Sequence, residues 1–146
     1  SIKNQDLEDW ELYVIDDCST DGSFNAAEEA AGDDLRIHIR RLGTNGGYSR
    51  AKNEGIVCAR GEFITCLDAD DMFTKTSLSA RLGIFDQCPD LAFVHGRAIN
   101  IGHMHTLERC YAIDPRKAAR TTARIHAQGV MLRRWALRRG TTVALR

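Results

Sequence analysis

The sequence predicts an α/β fold in which a mostly parallel sheet is covered by helices. Short apolar runs alternate with helical segments in the order β-α-β-α-β-α-β, a pattern typical of parallel sheets. Three of the apolar runs are followed by polar or glycine-containing loops, as in sheets that bind ligands at the carboxyl ends of their strands. With 146 residues, 43% of them hydrophobic and 27% charged, the composition is that of one globular domain.

Each element is predicted from a local pattern. Residues 1–9 have the character of a helix tail. The predicted strands are short segments that are apolar or alternate in polarity: Glu11–Asp16, Leu35–Leu42, Glu62–Leu67 and Leu91–Ile101. The predicted helices follow turn or glycine residues: Ser23–Ala31, Tyr48–Ala59 and Ser77–Gln87. The last helix is expected to end at Cys88, because Pro89 disfavours helical geometry in the residue before it.

The charges cancel overall but are unevenly spread along the chain. Residues 1–73 hold 16 acids and 7 bases, whereas residues 74–146 hold 4 acids and 13 bases. This split argues against a uniformly basic nucleic-acid-binding protein. No apolar run approaches the ~20 residues that span a bilayer. Five widely spaced cysteines without a C-x-x-C pair indicate free thiols in a reducing cytoplasm.

Three carboxylates lie close together after the predicted strand Glu62–Leu67. Asp68, Asp70 and Asp71 repel one another unless a positive charge compensates them. Mg²⁺ and Mn²⁺ prefer oxygen ligands and use one or two carboxylates together with substrate phosphates. The D-x-D spacing therefore indicates a site in which one carboxylate holds a metal and the other a ligand hydroxyl. The alternative is a solvated acidic turn ahead of the helix that begins near Thr76.

Two more acids end the predicted strand Glu11–Asp16. Asp16 and Asp17 are suited to accept hydrogen bonds from a ribose or from the imino N–H of a base. The alternative is that they belong to the turn ahead of the next helix, to which we assign Asp21 and Gly22 outright.

The loop Asn45-Gly46-Gly47 opens the predicted helix Tyr48–Ala59. Glycine permits close approach of a ligand to backbone N–H groups at a helix N-terminus, where anions are favoured. The alternative is an ordinary turn followed by a solvated helix face. If the strands are adjacent, this loop and the two acidic loops meet at one edge of the sheet.

Taken together and in order, three segments of the chain resemble glycosyltransferase family 2. They are V-I-D-D-C-S-T-D-G-S, N-G-G-Y-S-R-A-K-N-E-G-I and G-E-F-I-T-C-L-D-A-D-D. The resemblance runs from Ile2 to Val94, with a weaker match at Ile125–Arg134. It implies the GT-A fold, a three-layer α/β sandwich with a mostly parallel central sheet. It also implies inverting transfer of a sugar from a nucleotide diphosphate, usually UDP, to an acceptor hydroxyl of a glycan, a lipid-linked molecule or another compound.

On the nucleoside side, the resemblance implies roles for three residues. Asp17, with Asp16 beside it, matches the carboxylate that contacts the nucleoside. Lys52 stands where the family often has arginine, and we place it near the donor. Cys18 occupies a position where glycine is common in the family.

On the metal side, the resemblance implies that Asp68 approaches the ribose or sugar of the donor. Asp70 matches the residue that binds Mn²⁺ or Mg²⁺, and Asp71 is a second candidate ligand. Lys75 stands where proline often follows this loop, a departure that matters little.

Two larger departures indicate a fragment cut at both ends, or a divergent member that does not turn over. The family begins with an apolar strand ahead of residues 1–9, and its general base is an Asp or Glu after the segment matching Gly129–Arg134. No acidic residue follows Asp114, and His126 is better explained as a structural histidine. We expect one partial domain over residues 1–146, with donor and metal binding in residues 1–100 and the start of the acceptor side in residues 101–146.

The end of the chain is strongly basic and leaves three interpretations open. It can approach anionic lipid at the inner membrane surface, face the donor diphosphate or an acidic acceptor, or be a solvated surface whose partner acids lie in missing downstream sequence. Nine cations and no anion follow Asp114, and they are Arg116, Lys117, Arg120, Arg124, Arg133, Arg134, Arg138, Arg139 and Arg146.

Two other functional classes compete with glycosyl transfer. A non-catalytic nucleotide-sugar-binding domain would use the same site and needs no base. A phospho-acceptor receiver binds Mg²⁺ through a similar set of acids, here Asp16, Asp17 and Asp68. That class leaves residues 45–55 and Asp71 unexplained, and the late strand ending in Lys that it needs is not found.

Overall fold

The computed structural model describes residues 1–96 and 130–138, which belong to two compact units. Residues Asp9–Gly61 form one unit, which contains a two-stranded parallel sheet and is called the parallel unit below. Residues Ser1–Glu8 and the described residues from Glu62 onward form the other, whose three-stranded sheet is antiparallel, and which is called the antiparallel unit.

The parallel unit has the order strand, helix, strand, helix. Its elements are β1 (Leu12–Asp16), α1 (Ser23–Ala31), β2 (Ile37–Arg41) and α2 (Tyr48–Cys58). The two strands pair in parallel from Leu12 opposite Ile37 to Asp16 opposite Arg41. All four elements were predicted within about two residues of these bounds, and the parallel pairing follows from the helical crossover between the strands.

The two helices of the parallel unit cover opposite faces of its sheet. Successive side chains of a strand point to opposite faces, so Arg40 and Arg41 leave β2 on different sides. Arg40 contacts α2, where its guanidinium donates to the Cys58 sulfur and pairs with Glu54. Arg41 instead lies over the ring of Phe24 in α1. The helix–sheet–helix layering predicted from the alternating pattern is therefore present in this unit.

The antiparallel unit contains three short strands with helices α3 and α4. Its elements are β3 (Phe63–Thr65), α3 (Ser77–Gln87), β4 (Phe93–His95), β5 (Val130–Arg133) and α4 (Arg134–Arg138). Strand β5 lies between β3 and β4 and runs antiparallel to both. Strand β5 was not predicted from the sequence, although the weaker resemblance at Ile125–Arg134 covers it.

A small aromatic core holds the antiparallel unit together. Phe85 of α3 is completely buried, and its ring lies 4.7 Å from that of Phe63 in β3. Further buried apolar side chains come from each strand, from the segment before α3 and from α3 itself: Ile64, Val94, Met131, Phe73 and Leu78. The guanidinium of Arg133 covers the Phe63 and Phe85 rings, and its Nη1 pairs with Glu62 at 2.6 Å.

One expectation from the sequence is wrong at described residues, and one of the three interpretations of the basic end fails at Arg133. Residues 1–9 are not a helix; their backbone makes a turn in which Gln5 N donates to Ile2 O, and the Gln5 side chain bonds to residues distant in sequence. A segment this short is marginal as a helix without such competition. Arg133 is not a solvated cation awaiting a downstream acid, because Glu62 within the chain pairs with it.

Several expectations concern residues that lie outside the described ones. These are residues 97–101 of the predicted strand Leu91–Ile101, His126 and most of the basic end. Among the described residues, no helix is long and apolar enough to cross a membrane.

Candidate functional site

The carboxylate of Asp16 is used inside the protein. Asp16 closes β1 and is only 8% exposed. Both of its oxygens accept the backbone N–H of Ser19 at 3.2 Å, and Oδ2 lies 3.3 Å from the guanidinium Nε of Arg41. Arg41 also donates to Ser19 O at 2.6 Å, so the two side chains together close the turn after β1. The alternative of a turn residue is therefore realised for Asp16, and its contact with a ligand stays a prediction.

Asp17 joins the loop after β1 to the loop after β2. Its Oδ1 accepts the backbone N–H of Gly46 at 2.9 Å, and its Oδ2 accepts that of Gly47 at 2.6 Å. Gly47 has a φ of 82°, which an L side chain rarely adopts, and it is the residue that precedes α2. The N–H groups predicted to meet a ligand anion are thus bound by a carboxylate of the protein itself.

The adjacency predicted for these two loops is confirmed within the parallel unit. Both loops follow the carboxyl ends of β1 and β2, which are neighbouring parallel strands, and the Asp17 hydrogen bonds connect them. The acidic loop at residues 68–71 belongs to the antiparallel unit, and its convergence on the same edge stays a prediction.

The cations of α2 are directed to partners in and near the helix. Lys52 contacts the hydroxyl of Tyr48, and its Nζ lies 4.0 Å from the centroid of the Tyr48 ring. This is the i, i+4 spacing at which helix side chains meet. Arg50 turns back and donates to Thr44 Oγ1 at 2.9 Å. A role of Lys52 near the donor stays a prediction.

The acidic loop after β3 has more open carboxylates than the loop after β1. Asp71 N donates to Asp68 O at 3.0 Å, which closes a turn. Asp68 is half-buried and Asp70 is exposed. Within the described residues, the Asp70 carboxylate makes no hydrogen bond or ion pair, and the buried Oδ2 of Asp71 has no hydrogen-bond partner.

The residues of this loop fit a divalent cation only as part of a ligand set. No group of three or more His, Cys, Asp or Glu side chains among the described residues is arranged to hold a metal ion. Mg²⁺ and Mn²⁺ need only one or two carboxylates when waters and substrate phosphates complete their coordination. The exposed carboxylate of Asp70 supplies hard oxygen donors, and the Oδ2 of Asp71 has no hydrogen-bond partner among the described residues. These two carboxylates match the number that such a cation needs from the protein.

Glu11 is a carboxylate of the parallel unit whose two oxygens both accept hydrogen bonds. It accepts the backbone N–H of Gly61 at 2.9 Å and the guanidinium Nε of Arg60 at 3.0 Å. Burial opposes its ionisation, but the hydrogen bonds from Arg60 and Gly61 outweigh burial and hold the pKa of Glu11 below its ordinary value of 4.5. Glu11 thereby fixes the loop after α2.

Asp21 belongs to the turn before α1, as predicted. The hydroxyl of Ser23 donates to Asp21 Oδ1 at 2.6 Å and the Ser23 N–H donates at 3.1 Å. These two hydrogen bonds lower the pKa of Asp21.

Arg41, the partner of Asp16, was not among the residues predicted from the sequence. A sequence signal exists, because a parallel alignment that matches the ends of the two predicted strands places Arg41 opposite Asp16. Gln5 was not predicted either, and it carries no sequence signal, because its partners Thr74 and Leu78 lie more than sixty residues away.

The fold and the loops define an α/β chain with acidic loops after its strands and a glycine turn that opens a helix. The sequence model of the family described as glycosyl transferase family 2 matches residues 1–140. The chain therefore belongs to that family. This membership decides against the receiver interpretation. It also agrees with the resemblance seen in the three sequence segments.

Two curated relatives are bacterial glycosyltransferases by their names. The chain is 35% identical over 82 residues to TuaG of Bacillus subtilis (strain 168), which is named as a glycosyltransferase of teichuronic acid biosynthesis; the match covers 56% of the chain and 32% of TuaG. It is 35% identical over 95 residues to WcaA of Escherichia coli (strain K12), named as a glycosyl transferase of colanic acid biosynthesis; the match covers 65% of the chain and 34% of WcaA. The matched part is about one third of the length of these relatives.

Solved structures with a similar fold include S. aureus TarS. The TarS 1–349 structure matches with a TM-score of 0.66 over 94% of the chain and 42% of the TarS 1–349 chain, and at 24% identity this likeness shows the fold alone. The structure of TarS 1–349 in complex with UDP matches with a TM-score of 0.55 at 30% identity, over 59% of the chain and 26% of that TarS chain. The predicted GT-A-type α/β fold is confirmed.

Proposed function

We propose that this chain is the donor-binding part of a glycosyltransferase that takes a sugar from a UDP-linked donor. The observation that carries the proposal is the likeness to TarS in complex with UDP, at 30% identity over 59% of the chain. Family membership over residues 1–140 supports the reaction class. The names of the curated relatives support a glycan as the acceptor.

On the nucleoside side, we assign the ligand contact to Asp17 and a supporting role to Asp16. A carboxylate offers about four acceptor positions, and the two glycine N–H groups use one on each oxygen of Asp17. Asp17 can therefore hold the glycine turn and still accept the imino N–H of uracil. Asp16 keeps the preceding turn in place through Ser19 and Arg41. We assign to the Lys52 ammonium a contact with the negatively charged part of the donor.

On the metal side, Asp70 would hold Mn²⁺ or Mg²⁺ with help from Asp71, and Asp68 would bind a hydroxyl of the donor. When bound, the cation stabilises the negative charge of the departing diphosphate. The exposed carboxylate of Asp70 is available for this role because it is not engaged elsewhere in the described residues.

The proposed transfer is a single displacement that inverts the anomeric carbon. The acceptor hydroxyl forms the new bond to that carbon, loses its proton to a carboxylate base, and the nucleoside diphosphate leaves with the electron pair of the old bond. We assign the base to no residue of this chain. We further propose that the protein works in the cytoplasm, with basic residues after Asp114 other than Arg133 facing the inner membrane surface.

The test is calorimetric titration of UDP with and without Mn²⁺. We expect binding that depends on Mn²⁺ in the wild-type chain and at least tenfold weaker binding in Asp70→Ala, the range seen when a metal site loses a supporting group. Asp90→Ala, which removes another exposed carboxylate of the same unit, is the matched control and should bind as the wild type does. Mn²⁺-independent binding that Asp70→Ala leaves intact contradicts the metal assignment.

A second candidate is a non-catalytic nucleotide-sugar-binding domain. Such a domain would use the same donor-binding residues and needs no catalytic base. Hydrolysis of a UDP-sugar distinguishes the two, because a binding domain retains the UDP-sugar intact. Release of UDP that is lost in Asp70→Ala favours the enzyme.

A further inference from the structure

A buried glutamine bonds to the chain that follows the acidic loop. Gln5 is 8% exposed, and its side-chain amide uses both of its ends. Nε2 donates to the carbonyl oxygen of Thr74 at 2.8 Å and to that of Ser1 at 3.2 Å. Oε1 accepts the backbone N–H of Leu78 at 3.1 Å. The proposed donor chemistry assigns no role to this residue.

The hydrogen bond to Leu78 caps helix α3 from outside the helix. The residue before the helix, Thr76, makes no side-chain capping bond. Leu78 is the second residue of α3, at the position whose N–H a capping side chain normally accepts. Because Leu78 is buried, its N–H depends on a protein acceptor, and Gln5 supplies it.

The bonds of Gln5 fix the far end of the acidic loop. The near end leaves β3, whose Ile64 is buried in the sheet. The far end runs through Phe73, which is also buried, to the carbonyl of Thr74 that Gln5 holds. Asp70 and Asp71 therefore lie between two anchored points. At the second point, Gln5 acts beside two weaker contacts: the Ser1 hydroxyl accepts the Phe73 N–H at 3.3 Å, and the Asp6 N–H donates to Lys75 O at 3.1 Å.

We propose that Gln5 is a positioning residue for the acidic loop. Its amide ties Thr74 and the first turn of α3 together, and so restricts where the Asp70 and Asp71 carboxylates can lie. Gln5 itself touches neither metal nor donor. The proposal rests on the proposed function, because positioning of these carboxylates matters for a ligand only if they bind the Mn²⁺ and UDP named there.

The first variant is Gln5→Met, which keeps the length of the side chain and removes its amide. We expect faster backbone amide exchange in the acidic loop and at Leu78, and about tenfold weaker binding of UDP in the presence of Mn²⁺. Ser79→Ala is the matched control. It removes the hydrogen bond from the Ser79 hydroxyl to exposed Asp6, at 2.8 Å, and should leave both measurements unchanged.

The second variant, Gln5→Glu, keeps the acceptor for Leu78 and so protects the fold if Gln5→Met fails to fold. An ionised carboxyl at position 5 cannot donate to the Thr74 carbonyl, whereas a protonated one can. Burial among carbonyl oxygens raises the pKa of a carboxyl introduced there. We therefore expect UDP affinity to be weak at about pH 8 and to recover toward about pH 6, a rescue that loss of packing would not produce.

The two readouts separate failure of this proposal from failure of the proposed function. If the wild-type chain does not bind UDP with Mn²⁺, the proposed function fails, while amide exchange still tests whether Gln5 restrains the loop. Unchanged exchange in Gln5→Met overturns the positioning role. Faster exchange together with wild-type UDP affinity overturns it as well, because the restrained loop would then not matter for the ligand.

Discussion

The loops after β1 and β3 are both rich in aspartate, yet their carboxylates have different surroundings. After β1, Asp16 and Asp17 have every carboxylate oxygen hydrogen-bonded to backbone N–H groups. After β3, Asp70 is exposed and Asp71 has a buried oxygen without a partner among the described residues. The first pair builds the loop geometry, and the second pair remains available to a ligand.

This difference shows that an aspartate at a strand end has two uses that sequence alone does not separate. A carboxylate that accepts backbone N–H groups preorganises a loop, because those bonds are charge-assisted and stronger than neutral ones. A carboxylate left exposed keeps its hydration until a cation replaces the water. Substitutions at the two loops should therefore affect stability in one case and ligand binding in the other.

The largest expected effect on stability is at Asp16. Asp16→Ala leaves the Ser19 N–H without its acceptor and removes the carboxylate that pairs with the Arg41 guanidinium, and should lower the free energy of unfolding by about 2 kcal/mol. Asp70→Ala should change it by less than about 0.5 kcal/mol, because Asp70 is exposed. Urea denaturation of both variants measures the contrast. Equal losses at the two positions would contradict the distinction between the loops.

The next largest effect is expected at Asp17. This carboxylate holds the loop after β1, and we also assign to it a contact with the ligand. Asp17→Asn keeps one acceptor oxygen but turns an amide NH₂ toward the second glycine N–H, and should cost about 1–2 kcal/mol of unfolding free energy. It should also weaken UDP binding. Amide exchange at Gly46 and Gly47 reports the loss directly. An unchanged exchange rate at both glycines would show that the carboxylate does not hold this turn.

A smaller effect is expected in the pH dependence of stability, at Glu11. This carboxylate is hydrogen-bonded within the protein, and we assign no ligand to it. Its folded pKa lies below the ordinary value of 4.5, so the stability it contributes is fully present above pH 4.5 and is lost as the pH falls through the folded pKa. Glu11→Gln should be about 1 kcal/mol less stable than wild type near pH 7. The difference should vanish in acid, where both side chains are neutral. A constant difference at all pH values would contradict this origin.

The sequence predicted those parts of the fold that depend on local pattern. The bounds of α1 and α3 are those expected, and β1 and β2 pair in parallel as the alternating elements require. What it missed depends on contacts distant in the chain: β5 between β3 and β4, and the Gln5 bonds to Thr74 and Leu78. For the site, residue types indicated where carboxylates gather, but only the hydrogen bonds distinguish engaged carboxylates from open ones.

The smallest expected effect concerns Cys18, which follows the engaged pair in the loop after β1. Cys18 has a φ of 66°, a left-handed conformation that strains a residue with a Cβ and explains why glycine suits this position. Cys18→Gly relieves that strain but gives the unfolded chain more freedom, so the net gain in unfolding free energy should be about 0.5 kcal/mol. Cys18→Ala, which keeps a Cβ, should not stabilise the protein. Because Asp16 and Asp17 fix this loop by side-chain bonds, UDP affinity should be unchanged in both variants; stabilisation by alanine as well as glycine would mean that the thiol, and not the backbone, carries the cost.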